Sequence, residues 1–153
     1  MRDDVFRCDP DQEKQNQMLW SGSKRAECKQ VEELLWKEGN PIIVTDEHER
    51  VVGVSASWLE LCGYDAQKVW GQTPKDLLHG PHTDRQAARD FSTHIRTGHG
   101  RVVILNYRKN GTPFRNTLRG IRFGDLLVAQ TIHAENFPPD LKQKIDRDTQ
   151  YNL

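Results

Sequence analysis

Hydrophobic positions keep helical spacing in some stretches and alternate in others, and the changes of period divide the chain. Between Ser23 and Glu38, Cys28, Val31, Leu34 and Leu35 recur at helical spacing, with Ser23 as a candidate N-cap and Gly39 and Pro41 as the stop. From Pro41 the period shortens. Ile42–Thr45 and Val51–Val54 read as strands joined by the polar turn 46–50. Ser55 to Leu61 reads as a short helix closed by Gly63, and Asp65 can cap a further turn through Trp70. Thr73-Pro74 interrupts, residues 75–79 can form one more helical turn, and Thr83 is placed to cap a helix over 84–97 that Gly98 ends. Three strands follow, over 101–108, 113–122 and 126–133. Phe137-Pro138-Pro139 ends the pattern, and residues 140–149 can form a short polar helix. Strands, then helices, then strands predict an α+β fold with an antiparallel sheet and the helices on one face, not a βαβ repeat.

The hairpin turn is the sharpest local signal. Asn110-Gly111 suits a tight turn because both residues tolerate positive φ. The flanking strands each carry an amide among apolar residues, Asn106 before the turn and Asn116 after it. A buried amide without partners costs of order 1–3 kcal/mol, so each needs a reason. A two-residue loop at Asn110-Gly111 would put Asn106 and Asn116 on opposite faces. A three-residue loop over Lys109-Asn110-Gly111, with Gly111 left-handed, would put both on one face. Periodicity alone does not choose.

Composition narrows the function. The 153 residues carry 22 basic and 22 acidic side chains, which argues against a dedicated nucleic-acid or anionic-membrane surface. Mean hydropathy is −0.80, and no run approaches the ~20 apolar residues of a membrane span. The N-terminus lacks a signal-peptide core, which makes the cytoplasm the expected compartment. Cys8, Cys28 and Cys62 form no metal or disulfide spacing and read as free thiols. No phosphate loop, Ser-His-Asp text or Cys-His pair appears, and no enzyme is expected.

Several motifs, in order, carry a resemblance. Asn106-Tyr107-Arg108-Lys109-Asn110-Gly111-Thr112-Pro113-Phe114-Arg115-Asn116 resembles the LOV (light-oxygen-voltage) hairpin of PAS domains, Asn-Tyr-Arg-Lys-Asp-Gly-Thr-Pro-Phe-Trp-Asn. Trp58 to Tyr64 is similar to Phe-x-x-Leu-Thr-Gly-Tyr, and Leu78 to Asp84 to Leu-Gln-Gly-Pro-x-Thr-Asp, of the same family. Gln130 matches the family's final Gln. Parts of these texts also resemble the PAS domain of eag-type potassium channels. The resemblance covers residues 40–135 and implies a five-stranded antiparallel PAS sheet whose last strand lies beside the first. With the composition and the hydrophobic pattern, it divides the chain into a flexible tail over 1–22 with Leu19 and Trp20 able to dock, a flanking helix over 23–39, the domain, and an extension over 136–153.

By resemblance, Asn106, Asn116 and Gln130 would face a flavin ring and His79 would reach its ribityl chain, the cofactor being FMN or riboflavin held non-covalently. The adduct-forming cysteine of the family has no counterpart: Gly71 to His79 is one residue longer and contains no Cys, and Cys62 falls at the family's Thr position. The family's phosphate-binding arginines fall at Lys75 or Asp76 and at Ser92, leaving Arg85 and Arg89 as substitutes, and Ser55 stands where Asn is frequent. The resemblance therefore implies a sensory domain that binds flavin without a thiol adduct. The alternative is an interaction module with an empty pocket that acts on a protein partner, or on a second copy, through the sheet or the N-terminal helix.

Overall fold

The computed structural model describes residues 17–22 and 29–137. The elements are β1 (Met18–Trp20), α1 (Lys29–Glu38), β2 (Ile42–Thr45), β3 (Val51–Ser55), α2 (Ala56–Cys62), a 3₁₀ turn (Ala66–Lys68), α3 (Pro74–Leu78), α4 (Arg85–Arg96), β4 (His99–Tyr107), β5 (Pro113–Phe123) and β6 (Leu126–Asn136). The expectations for residues 1–16, 23–28 and 138–153 lie outside the described residues.

One antiparallel sheet runs in the order β1-β3-β2-β6-β5-β4. The expected neighbours meet: β2 pairs with β6, from Ile42 opposite Gln130 to Thr45 opposite Leu127. The sheet has six strands where five were expected. Met18–Trp20, assigned from sequence to the N-terminal tail, forms a ladder on the free edge of β3, with Trp20 opposite Gly53. Three residues are too few for a period. The pairing depends on Gly53, because a Cβ there would lie 2.3 Å from the Trp20 ring.

The two faces of the sheet carry different covers. Helices α2, α3 and α4 cover one face, hereafter the inner face. Trp58, Cys62, Val69, Leu77 and Leu78 form one core there with Ile43, Val54 and Phe114. Phe91 and Ile95 of α4 form another with Ile104, Leu118 and Leu127. Helix α1 instead packs on the outer face, where Val31 meets Ile42, Val44, Leu126 and Val128. Its position follows from the strands beneath it. β2 is buried on both faces, so its outer residues need an apolar cover. Each fully buried side chain of this size contributes roughly 1.5–3 kcal/mol.

The helix starts have local causes. Ser55 Oγ accepts from Trp58 N at 3.1 Å and also from Ile42 N at 2.9 Å, so one hydroxyl caps α2 and anchors β2. Thr73 caps α3 through Asp76 N at 3.2 Å. The cap of α4 is Asp84, accepting from Ala87 N at 3.0 Å, not the expected Thr83. Thr83 is occupied otherwise: its hydroxyl accepts from Gly80 N at 3.0 Å and donates to Leu105 O at 2.8 Å. That pair ties the 79–84 segment to β4.

Candidate functional site

The β4–β5 hairpin takes the three-residue loop. Arg108 N donates to Thr112 O at 3.0 Å and Gly111 N to Arg108 O at 2.9 Å, with Gly111 at φ 86°. Asn106 therefore lies opposite Phe114 and Ile104 opposite Asn116. Both amides point to the inner face. The loop is fixed to α2 from outside, by Lys109 N on Cys62 O at 2.9 Å and Arg108 Nε on Leu61 O at 2.9 Å.

Asn106 and Asn116 line a cavity of about 440 Å³ between the inner face, α3 and α4. That volume falls in the range of small-molecule sites, roughly 300–1,000 Å³. Ile43, Trp58, Leu78, Phe91, Ile104 and Leu118 supply apolar wall. Each amide is only 2% exposed. Asn116 Nδ2 donates to Asn106 Oδ1 at 2.9 Å, and the Thr131 hydroxyl donates to Asn116 Oδ1 at 3.0 Å. Asn106 Nδ2 makes a long contact to Leu105 O at 3.5 Å. An amide nitrogen carries two hydrogens, so both keep donor capacity beyond these bonds.

His79 follows the last turn of α3 and lines the same cavity. Its Nδ1 is buried and has no hydrogen-bond partner among the described residues. Burial holds its pKa below the ordinary histidine value, helped by the charges of Arg85 and Lys75 and opposed by Asp76. The imidazole is therefore a neutral group at physiological pH. His79 also borders a second hollow of about 450 Å³, lined by Tyr64, Tyr107 and Pro113.

Cations and one carboxylate complete the lining. Lys75, Arg85 and Arg89 reach the cavity from α3 and α4. Glu49, from the β2–β3 turn, also lines it and accepts a hydrogen bond from the Ser92 hydroxyl of α4. No motif singles out Glu49, because its contact with Ser92 spans 43 positions of chain. Thr131 was missed as well, although its alternation with Leu127 and Ala129 assigns it to the inner face.

Gln130 requires a correction. It is fully buried, but it lies on the outer face, opposite Ile42 and in line with Val128 and Leu126. Its Oε1 accepts from Arg119 Nη2 at 2.6 Å, a charge-assisted bond across β5 and β6. Two-residue alternation explains this: Ala129 lines the cavity, so its neighbour turns away. The structure thus brings Asn106, Asn116 and His79 together and separates Gln130 from them.

No cysteine among the described residues lines the cavity. Cys62 is 0% exposed and packs with Trp58, Val69, Leu77 and Phe114. Burial pushes its thiol pKa up to about 12, with the Arg108 charge offsetting only part of the effect.

Residues 29–121 match the PAS fold family, and the chain belongs to it. The blue-light-activated histidine kinase of Rhizobium johnstonii is 37% identical over 82 residues, 51% of this chain and 24% of that protein. Protein TWIN LOV 1 of Arabidopsis thaliana is 35% identical over 65 residues, 42% of this chain and 16% of that protein. The chain thus spans less than a quarter of the length of these relatives. Among solved structures, the Rhodobacter sphaeroides LOV protein superposes with a TM-score of 0.60 at 22% identity, over 71% of this chain and 67% of that one. The dark structure of the blue-light photoreceptor Aureochrome1 LOV gives 0.57 at 23% identity, over 80% and 94%. These likenesses show the α+β PAS/LOV fold. No helix among the described residues is long and apolar enough to cross a membrane.

Proposed function

We propose that the chain is a sensory PAS domain of the LOV type that binds FMN or riboflavin non-covalently in the inner-face cavity and forms no thiol bond to it. The observation that carries this reading is the pair of amides, Asn106 and Asn116, buried side by side on the cavity wall with donor capacity left over. They suit the alternating donors and acceptors of a flavin's pyrimidine edge. The buried, unpartnered Nδ1 of His79 suits a ribityl hydroxyl. Trp58, Phe91 and Leu118 would exclude water from the ring. Bound flavin would supply blue-light absorption. The LOV relatives' blue-light names support that class of ligand.

The lining offers no thiol at the cavity among the described residues, so the light response would run through changed hydrogen bonding at Asn106 and Asn116. Output would pass from the domain to a protein partner or a second copy, through the outer sheet face or α1, in the cytoplasm. The reading assigns no catalysis to this chain.

A second reading keeps its own observation. Val103 is 59% exposed on the part of the outer face that α1 leaves open, between Arg101 and Arg115. An apolar residue there suits a contact-driven interaction module of the eag-channel kind.

Absorption spectra with added FMN or riboflavin, before and after blue light, separate the readings. The expected result is a bound-flavin spectrum that blue light does not convert to a thiol-adduct spectrum. Asn106→Leu with Asn116→Leu should weaken binding roughly thirtyfold, for two net hydrogen bonds of ~1 kcal/mol each. Reversible bleaching to a thiol-adduct spectrum would overturn the thiol-free mechanism. Undiminished binding by the double variant would remove the assigned site, and no binding of either flavin would leave the interaction module.

A further inference from the structure

Glu49 is the only non-glycine at positive φ among the described residues, at 62°. A glutamate in the left-handed region is uncommon, and the turn around it enforces the conformation. Asp46 Oδ1 accepts from His48 N at 2.8 Å and from Arg50 N at 3.1 Å, while Glu49 N donates to Asp46 O at 3.0 Å. Arg50 Nη1 then ties the turn to Gly71 O at 2.9 Å. The half-buried side chain of Glu49 crosses to α4, takes the Ser92 hydroxyl and lines the cavity with Lys75, Arg85 and Arg89. Backbone strain held by surrounding bonds is a mark of ligand-contacting positions.

We infer that Glu49, held by Ser92, is a specificity-determining residue of this cavity and lowers its preference for a flavin with a terminal phosphate. The inference rests on the flavin reading proposed above. A carboxylate beside Lys75, Arg85 and Arg89 cancels part of their attraction for an anion. It also adds a direct repulsion for a phosphate monoester, which carries nearly two charges at neutral pH. A neutral ribityl alcohol meets no such repulsion. With three cations against one carboxylate the lining still attracts a phosphate, but less than it would without Glu49.

The test compares dissociation constants of riboflavin and FMN by fluorescence titration for the whole chain and for two variants. Glu49→Gln removes the charge and keeps an acceptor for Ser92. Glu49→Asn removes the charge with a residue that tolerates the left-handed region, and so covers a failure of the Gln variant to fold. Each variant should shift the ratio toward FMN by about tenfold at low salt, and the shift should shrink near 1 M salt, where screening reaches ~3 Å. A ratio unchanged by both variants would overturn the role of Glu49 and leave flavin binding standing. Binding of neither flavin by the unsubstituted chain would instead remove the flavin reading, and this inference with it.

Discussion

On the inner face of the sheet, Asn116 donates to Asn106 and accepts from Thr131. On the outer face, Gln130 accepts from Arg119. All three amides are buried on strands β4 to β6, and all match positions that the LOV resemblance assigns to one ring. Their settings differ. The inner amides bond neutral groups, adjoin a cavity of about 440 Å³ and keep unused donors. The outer amide is engaged by a guanidinium at 2.6 Å and sits in line with the apolar residues that α1 covers. The inner pair can exchange partners with a ligand at little loss, whereas the outer one is committed to holding the sheet together. Family position alone does not distinguish these states, and strand alternation does.

The largest expected effect tests whether the two faces differ in weight as well as in use. Trp58 is 2% exposed in the inner core, so Trp58→Ala should cost about 3–5 kcal/mol in urea unfolding. Trp20 lies partly buried at the sheet edge, its indole donating to Glu32 at 3.0 Å. Trp20→Ala should cost about 1–2 kcal/mol, the range of a partial burial and one exposed bond. Equal losses would mean that the β1–α1 side is as integral to folding as the inner core.

A smaller pair of effects sharpens the amide comparison. Asn116→Leu strands Thr131 and Asn106, and Gln130→Leu removes the acceptor of Arg119 Nη2; each should lower stability by about 1–3 kcal/mol. Only Asn116→Leu should also weaken flavin binding. A loss of flavin on Gln130→Leu equal to that on Asn116→Leu would put the outer amide back at the ring.

Much of this was legible in the sequence. The strands and α2 to α4 followed from period changes, turn residues and caps, all local signals, whereas the β2–β6 adjacency came from the PAS resemblance. The shared face of Asn106 and Asn116 was one of two open alternatives until the loop hydrogen bonds at Arg108 decided it. What escaped was non-local. β1 is three residues long and exists through its contact with Gly53. The side taken by α1 depends on which face of β2 needs cover, and a narrow apolar stripe does not state that. Glu49 and Ser92 meet across 43 positions, with no motif to announce it. Gln130 went astray for the opposite reason. The resemblance fixed its position along β6, while Leu126, Val128 and Gln130 were already recurring two apart, on the side that α1 covers.

The smallest expected effect concerns pH and belongs to the inner face. Burial, Arg85 and Lys75 depress the folded pKa of His79 below its ordinary value of about 6.5. The unfolded chain therefore binds more protons than the folded one just below that pH. Stability rises with pH wherever the unfolded state holds more protons. The contribution of His79 is thus fully present above about pH 6.5 and is lost as the pH falls from there through the lower folded pKa. A Tm series from pH 8 to pH 5 should decline on the acid side, and His79→Asn, which does not titrate, should flatten part of that decline. Filling the cavity should steepen the decline, since an occupant that donates to Nδ1 needs the neutral ring. A His79→Asn profile that tracks the unsubstituted protein across the whole range would show that His79 is not held neutral by its surroundings. It would also remove His79 from the set of residues that the cavity offers a ligand.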